Sequence, residues 1–348
     1  MKLEPCLKDA MTPAERFAAM DKGESIDRVP VYMFLEDIKA RLLGKDIATY
    51  YHDTEALVAG EIRAFNRFGL DEMGIGPNVR GIAEAIGVQT RYPKQGHVEI
   101  VKHRIADLRE VETLSPISMA MGNLPRFFEV AKRLREKADG ICPVTVYVAG
   151  PVTLAGHVYG VENMLLALVK DPKGAHRLLR YVTDCIHTVT DGFAGLDVEY
   201  YFADPVASTS LLSPRMYRTF AYPYTEEICR HILEKTGKKA TYHVCGNTQK
   251  VWEDIRRLPL SCFSIDNAMD IDAACAFFSE TMRIAGNVPP VDVLYKGQKE
   301  TIAESVKHCL AAGKTCQKGF ILAPGCNMPL ATSEENMDFY MDAARTWG

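Results

Sequence analysis

Lys239–Asn247 reads KATYHVCGN. Gly237 and Gly246 bracket the stretch, and Ala240–Val244 within it, though it alternates poorly in polarity, reads as a short buried strand. Side chains two apart on a strand share a face. His243 and Cys245 therefore project together from the strand end, with Gly246 leaving room beside them. An imidazole and a thiolate side by side form half of a borderline-soft ligand set suited to Zn²⁺. Far downstream a second apolar run, Gly319–Pro324 (GFILAP), ends at Gly325 and Cys326. If both runs are strands of one barrel, their ends share a rim, and His243, Cys245 and Cys326 are expected to meet there. Taken singly, His243 and Cys245 also fit a core histidine beside a buried thiol, and Cys326 fits a small residue in a tight turn.

Outward from this stretch, strands and helices alternate. Toward the N-terminus the expected strands are Val29–Phe34, Asp71–Pro77, Cys142–Pro151 and Val198–Pro205. Toward the C-terminus they are Cys262–Asn267, Met282–Val288 and Phe320–Pro324. Helices are expected at Asp53–Phe68, Asn123–Ala138, Val161–Leu196 with a break at Asp171–Lys173, Pro214–Lys235 capped by Ser213, Ile271–Phe278, Thr301–Ala312 and Glu334–Thr346. Thr12, Pro13 and Glu15 spell a capping box. Val88–Ile105 reads as a hairpin excursion around Gly96. About eight strands, nearly all followed by helix, predict an α/β fold, a (β/α)8 TIM barrel, with a less regular N-terminal hundred residues as a capping extension. No G-x-G-x-x-G follows the first strand, which speaks against a dinucleotide fold. No linker or repeat interrupts the chain, so residues 1–348 are expected to form one domain.

The composition is that of a globular protein, 47% hydrophobic and 25% charged, with 348 residues. A formal charge of −4, without a basic stripe, gives no support to nucleic-acid binding. No run approaches the ~20 apolar residues of a membrane span, and the N-terminus, MKLEPCLKDAMTPAERF, carries acids and lacks the apolar centre of a signal peptide. The expected compartment is the cytoplasm. Ten scattered cysteines are then reduced thiols, most of them apolar filler.

Barrel chemistry sits where strands end. The expected ends carry Asp204, His243, Cys245, Asp266, Asn287 and Cys326, with His157 and Tyr159 after the strand Cys142–Pro151. Asp204 and Asp266 fit helix caps equally with a hydrogen-bond partner for His243 or a weak fourth metal ligand. Three protein ligands would leave zinc a fourth position open, as catalytic sites do. Cys262, Cys275, Cys309 and Cys316 are expected to be structural.

Five segments together resemble a known family: TPAERFAAMDKGESIDRVPV, DPVASTSLLSPRMYRTFAYPY, HVCGNT, GNVPPVDVLYKG and GFILAPGCNMPLATSEEN. They resemble the uroporphyrinogen decarboxylase superfamily, and within it the corrinoid-dependent methyltransferases, such as the methylcobalamin:coenzyme M methyltransferases. The resemblance implies a (β/α)8 barrel whose zinc is held by a His-x-Cys pair and a distant Cys, which fall on His243, Cys245 and Cys326. It further implies methyl transfer between a corrinoid and a second small molecule, methyl donor or acceptor, such as a thiol. No D-x-H-x-x-G run is present for binding the corrinoid, so a transient corrinoid-binding partner protein is expected to deliver it. The metal-free decarboxylase branch fits less well. Its arginine-rich segment after the first strand corresponds here to Leu35–Gly44 (LEDIKARLLG), with Arg41 as its one arginine. A zinc-storing or scaffolding protein without turnover is the remaining alternative.

Overall fold

The structure is a computed structural model, and it describes residues 1–94, 96 and 98–348. Nine strands are assigned among them: β1 Met73–Pro77, β2 Gln89–Arg91, β3 Glu99–Lys102, β4 Val144–Ala149, β5 Glu199–Ala203, β6 Ala240–Val244, β7 Leu260–Ile265, β8 Arg283–Val288 and β9 Phe320–Pro324. β2 and β3 pair antiparallel as the expected hairpin, residues 95 and 97 of which lie outside the described set. The other seven are hydrogen-bonded in the order β1-β4-β5-β6-β7-β8-β9. The pairs β4–β5, β5–β6, β7–β8 and β8–β9 are all parallel. Helices separate them in sequence, as an α/β chain requires. The chain divides into two compact units, one of residues 1–74, 133–144 and 261–348, the other of residues 75–132 and 145–260.

In the second unit, β4 to β6 have two unlike faces. Tyr147 pairs with Tyr201, Phe202 with Tyr242 and Ala203 with His243, so period-two alternation sorts every side chain. One face carries Val146, Val148, Tyr200, Phe202, Tyr242 and Val244, all buried. The other carries Thr145, Tyr147, Glu199, Tyr201, Thr241 and His243. Gly160 closes the apolar helix Pro151–Tyr159 and opens Val161–Lys170, and Asp171 caps Pro172–Phe193, the break the sequence predicts. The first two of these helices, bent by 106°, are apolar enough together to match a membrane span, but among the described residues no single helix is.

In the first unit the expected strand Val29–Phe34 is reduced to one parallel bridge, Val31 to Leu322. The Leu322 N–H donates to Pro30 O and the Tyr32 N–H to Leu322 O, both at 2.9 Å. Toward β9 the ladder loses a rung at Pro30, which has no N–H to give. On the opposite edge the Val31 N–H is taken at 2.6 Å by the carboxylate of Asp71. The Val31 carbonyl accepts from the Asp71 N–H at 3.4 Å.

Asp71 is also the centre of a buried ion network. It is fully buried, and it receives both Arg16 and Arg28, themselves buried. Arg16, on the helix Pro13–Lys22 that Thr12 and Glu15 cap as expected, also grips Asp27 at 2.7 Å. Arg28 reaches Asp9 at 2.7 Å, and Asp9 holds Arg345 of the helix Glu334–Trp347 at 2.9 Å. Burial raises the Asp27 carboxyl, but the Arg16 hydrogen bond, the Met11 N–H and the charges of Arg16 and Arg28 outweigh it and bring it down to about 2. A carboxyl held below its unfolded value stabilises the fold above that value and loses the contribution as pH falls toward the folded one. Stability will therefore drop by about 1–2 kcal/mol between pH 4 and pH 2 on account of Asp27, allowing for solvent screening. Urea midpoints across that window check it, and Asp27→Asn should flatten the slope.

Candidate metal centre

β6 spans Ala240–Val244 as the sequence predicts, and His243 is buried near its end. The Nε2 of His243 lies 3.3 Å from the sulfur of Cys245. The turn that follows is held from β5's exit loop. The Ser210 hydroxyl accepts the Asn247 N–H at 3.0 Å, while the Thr209 hydroxyl donates to Asn247 O at 2.6 Å. Between them Gly246 adopts a left-handed φ of 71°. A Cβ there would stand 2.8 Å from the Ser210 hydroxyl and 2.9 Å from that of Ser208, so only glycine lets the latch close. The imidazole of His243 is stacked along the ring of Tyr201, centroids 6.2 Å apart and planes inclined by 22°.

Cys326 follows β9. Gly325 donates its N–H to Val288 O at 2.9 Å and packs so tightly on β7's exit that a Cβ would sit 2.3 Å from the main-chain nitrogen of Asn267. No side-chain rotation relieves a clash with backbone. Gly325→Ala should cost about 1–3 kcal/mol and shift the turn that presents Cys326, which thermal unfolding and metal content will register together.

The ligand atoms of His243, Cys245 and Cys326 all lie within 4.8 Å of one another, the one such His/Cys/Asp/Glu group among the described residues. His243 is buried and the two cysteines are half-buried. One nitrogen and two sulfurs, with Zn–N near ~2.1 Å and Zn–S near ~2.3 Å, form a donor set that zinc accepts while keeping a fourth position.

Asp204 is buried at the end of β5, and its carboxylate is fully engaged elsewhere. It accepts from the N–H groups of Val152 and Thr153 at 3.2 and 2.7 Å and from the Thr153 hydroxyl at 2.6 Å, capping the helix Pro151–Tyr159. Burial pushes its pKa up to about 6 against the pull of those donors. Its own N–H donates to the carbonyl of His243 at 2.9 Å, tying β5's exit to β6's. Asp266 makes a local turn, accepting the Ala268 N–H at 2.7 Å. Its carbonyl receives the side-chain amide of Asn287, which also donates to Met269 O at 2.8 Å. His157 donates a ring N–H to Thr153 O at 3.1 Å, and burial lowers its pKa. Cys262, Cys275, Cys309 and Cys316 are buried, as expected of structural thiols. Sequence reasoning missed Tyr201 and the serine latch. The alternation of EYYFA against ATYHV, and the STS that follows DPVA, carried those signals.

The chain belongs to the uroporphyrinogen decarboxylase family, whose profile matches residues 12–347. A methylated-thiol–coenzyme M methyltransferase of Methanosarcina mazei is 24% identical over 339 residues, covering 96% of this chain and 89% of that protein. A methylcobamide:CoM methyltransferase of Methanosarcina acetivorans is 24% identical over 343 residues, covering 97% and 98%. A uroporphyrinogen decarboxylase of Prochlorococcus marinus is likewise 24% identical, over 340 residues and 93% of this chain and 94% of its own. The solved structure of a methyltransferase from Methanosarcina mazei superposes with a TM-score of 0.84 at 22% identity, covering 97% of this chain and 98% of that one. At that identity the superposition speaks for the fold. The resemblance to the corrinoid-dependent methyltransferase branch holds across the methyltransferase relatives.

Proposed function

We propose that this chain is a zinc-dependent enzyme that moves a methyl group between a protein-borne corrinoid and a small thiol. The observation that supports the reading is the grouping of His243, Cys245 and Cys326, three potential ligands from two distant parts of the sequence. Zinc bound there supplies a Lewis acid that favours the thiolate of a bound substrate at neutral pH. The thiolate takes the methyl carbon, and the cobalt keeps the electron pair of the broken carbon–cobalt bond. The chain's own residues prepare that event. A neutral His243 and two cysteinates would balance the charge of a bound zinc ion, so that a thiolate joining them would stay electron-rich. Tyr201 holds the plane of the His243 ring, and the Ser210–Thr209 latch holds the turn after Cys245. Asp204 acts as a positioning residue through the His243 carbonyl, and Asp266 does so for the turn after β7.

The decarboxylase alternative calls for cations after the first strand. Only two are present in Leu35–Gly44: Lys39 is paired with buried Glu61, and Arg41 donates to Thr332 O at 2.5 Å. That favours methyl transfer over decarboxylation. The corrinoid comes on a transient partner protein in this reading, and the expected compartment is the cytoplasm. The single-domain, eightfold barrel belongs to the same reading, with the Val31 segment in the first strand's place: Pro30 and Tyr32 bond Leu322 of β9 on one side and Val31 bonds Asp71 on the other.

The test is metal analysis of the purified protein together with methylcobalamin demethylation followed optically across a panel of thiols. The expected result is about one zinc per chain, as three clustered ligands imply, and thiol-dependent loss of methylcobalamin. A metal-free protein that decarboxylates a porphyrinogen would replace this reading with its rival.

A further inference from the structure

We propose that Tyr147 is a specificity-determining residue of this site, backing a thiol whose carbon chain is uncharged or positively charged. The inference rests on the methyl-transfer reading. Tyr147 pairs with Tyr201, and Ala203 with His243, so Tyr147, Tyr201 and His243 share one face of β4 to β6. Tyr201 lies along the imidazole, and Tyr147 meets Tyr201 edge to face, centroids 5.2 Å apart at 79°. Tyr201 is buried, whereas Tyr147 is half-buried, so Tyr147 is the ring of the pair that still offers surface.

Charge narrows the ligand. Across β4 to β9 the only acidic or basic side chains besides His243 are Glu199 and Arg283. Each is the first residue of its strand, at the end opposite the exits that lead to Cys245 and Cys326. Each is also spoken for: Glu199 by Lys238 at 2.8 Å, and Arg283 by Asp21. The strands thus offer no cation to a carboxylate or sulfonate. A tyrosine face attracts methylene groups and cations.

The experiment titrates the cobalt(II)-substituted protein with 2-mercaptoethanol, cysteamine and 2-mercaptoethanesulfonate, reading the visible ligand-field bands. KM and kcat for the same thiols are measured on the zinc form. Wild type should bind the first two thiols more tightly than the sulfonate. Tyr147→Ala should weaken their binding about three- to tenfold, the scale of one aromatic contact, and raise KM with metal content unchanged. Tyr147→Phe should restore it. Unaltered binding in Tyr147→Ala with metal retained overturns the assignment while leaving methyl transfer standing. A tenfold preference of wild type for the sulfonate also overturns it, and points to half-buried Arg80, at the start of the helix after β1. A wild-type protein that takes up no metal, or binds no thiol once loaded, overturns both readings.

Discussion

On the proposed reading, His243→Ala will abolish thiol-dependent methyl transfer and most of the zinc uptake expected of the wild-type protein. His243 is the sole nitrogen donor of the group, and its Nε2 lies 3.3 Å from Cys245. Lewis-acid stabilisation at a metal contributes several kcal/mol, and about 1.4 kcal/mol is a factor of ten in rate. The expected loss is on the order of a thousandfold or more in kcat/KM. Because His243 is buried and stacked on Tyr201, the alanine variant also leaves a void. Cys326→Ser is the cleaner companion, since Cys326 is half-buried and serine nearly preserves its volume. That variant should lose zinc and turnover while its far-ultraviolet circular dichroism matches wild type. Full turnover with zinc retained in Cys326→Ser would remove the third ligand from the site and the proposed mechanism with it.

The largest effect on stability will come from a residue that no step of this chemistry uses. Asp71 is fully buried and neutralises both Arg16 and Arg28 while accepting the Val31 N–H. Asp71→Ala leaves two buried guanidinium groups short of a partner and one main-chain donor unmet. Removing one member of a buried ionic group costs about 3–5 kcal/mol, against a total of roughly 5–15 kcal/mol for a typical domain. The variant should unfold at much lower urea, or accumulate as insoluble chain. A midpoint within experimental scatter of wild type would mean that Arg16 and Arg28 are satisfied by Asp9 and Asp27 alone.

What could be read from the sequence was whatever local chemistry settles. Ala240–Val244, Phe320–Pro324 and Ile271–Phe278 fall where the apolar runs and their flanking turns put them. The Thr12 box and the Asp53 and Ser213 caps need only near neighbours. The grouping of His243 and Cys245 follows from strand geometry, and adding Cys326 needed only the assumption that strand exits share a rim. The failures have long-range causes. Val29–Phe34 has the apolar content of a strand, but a carboxylate 40 residues on takes the Val31 N–H. The donors that occupy Asp204 are 51 and 52 residues before it, so its capping role was one alternative among several. Tyr201 looked like one more apolar strand residue until the register set its ring against His243.

The division of the chain has a consequence for its synthesis. The unit built from residues 75–132 and 145–260 is complete once residue 260 has left the ribosome. The other unit needs residues 261–348, and within it Asp9 must wait 336 positions for Arg345. Domains tend to fold as they emerge. The nascent polypeptide therefore carries Asp9 without Arg345, and Val31 without the bridge to Leu322, through most of translation.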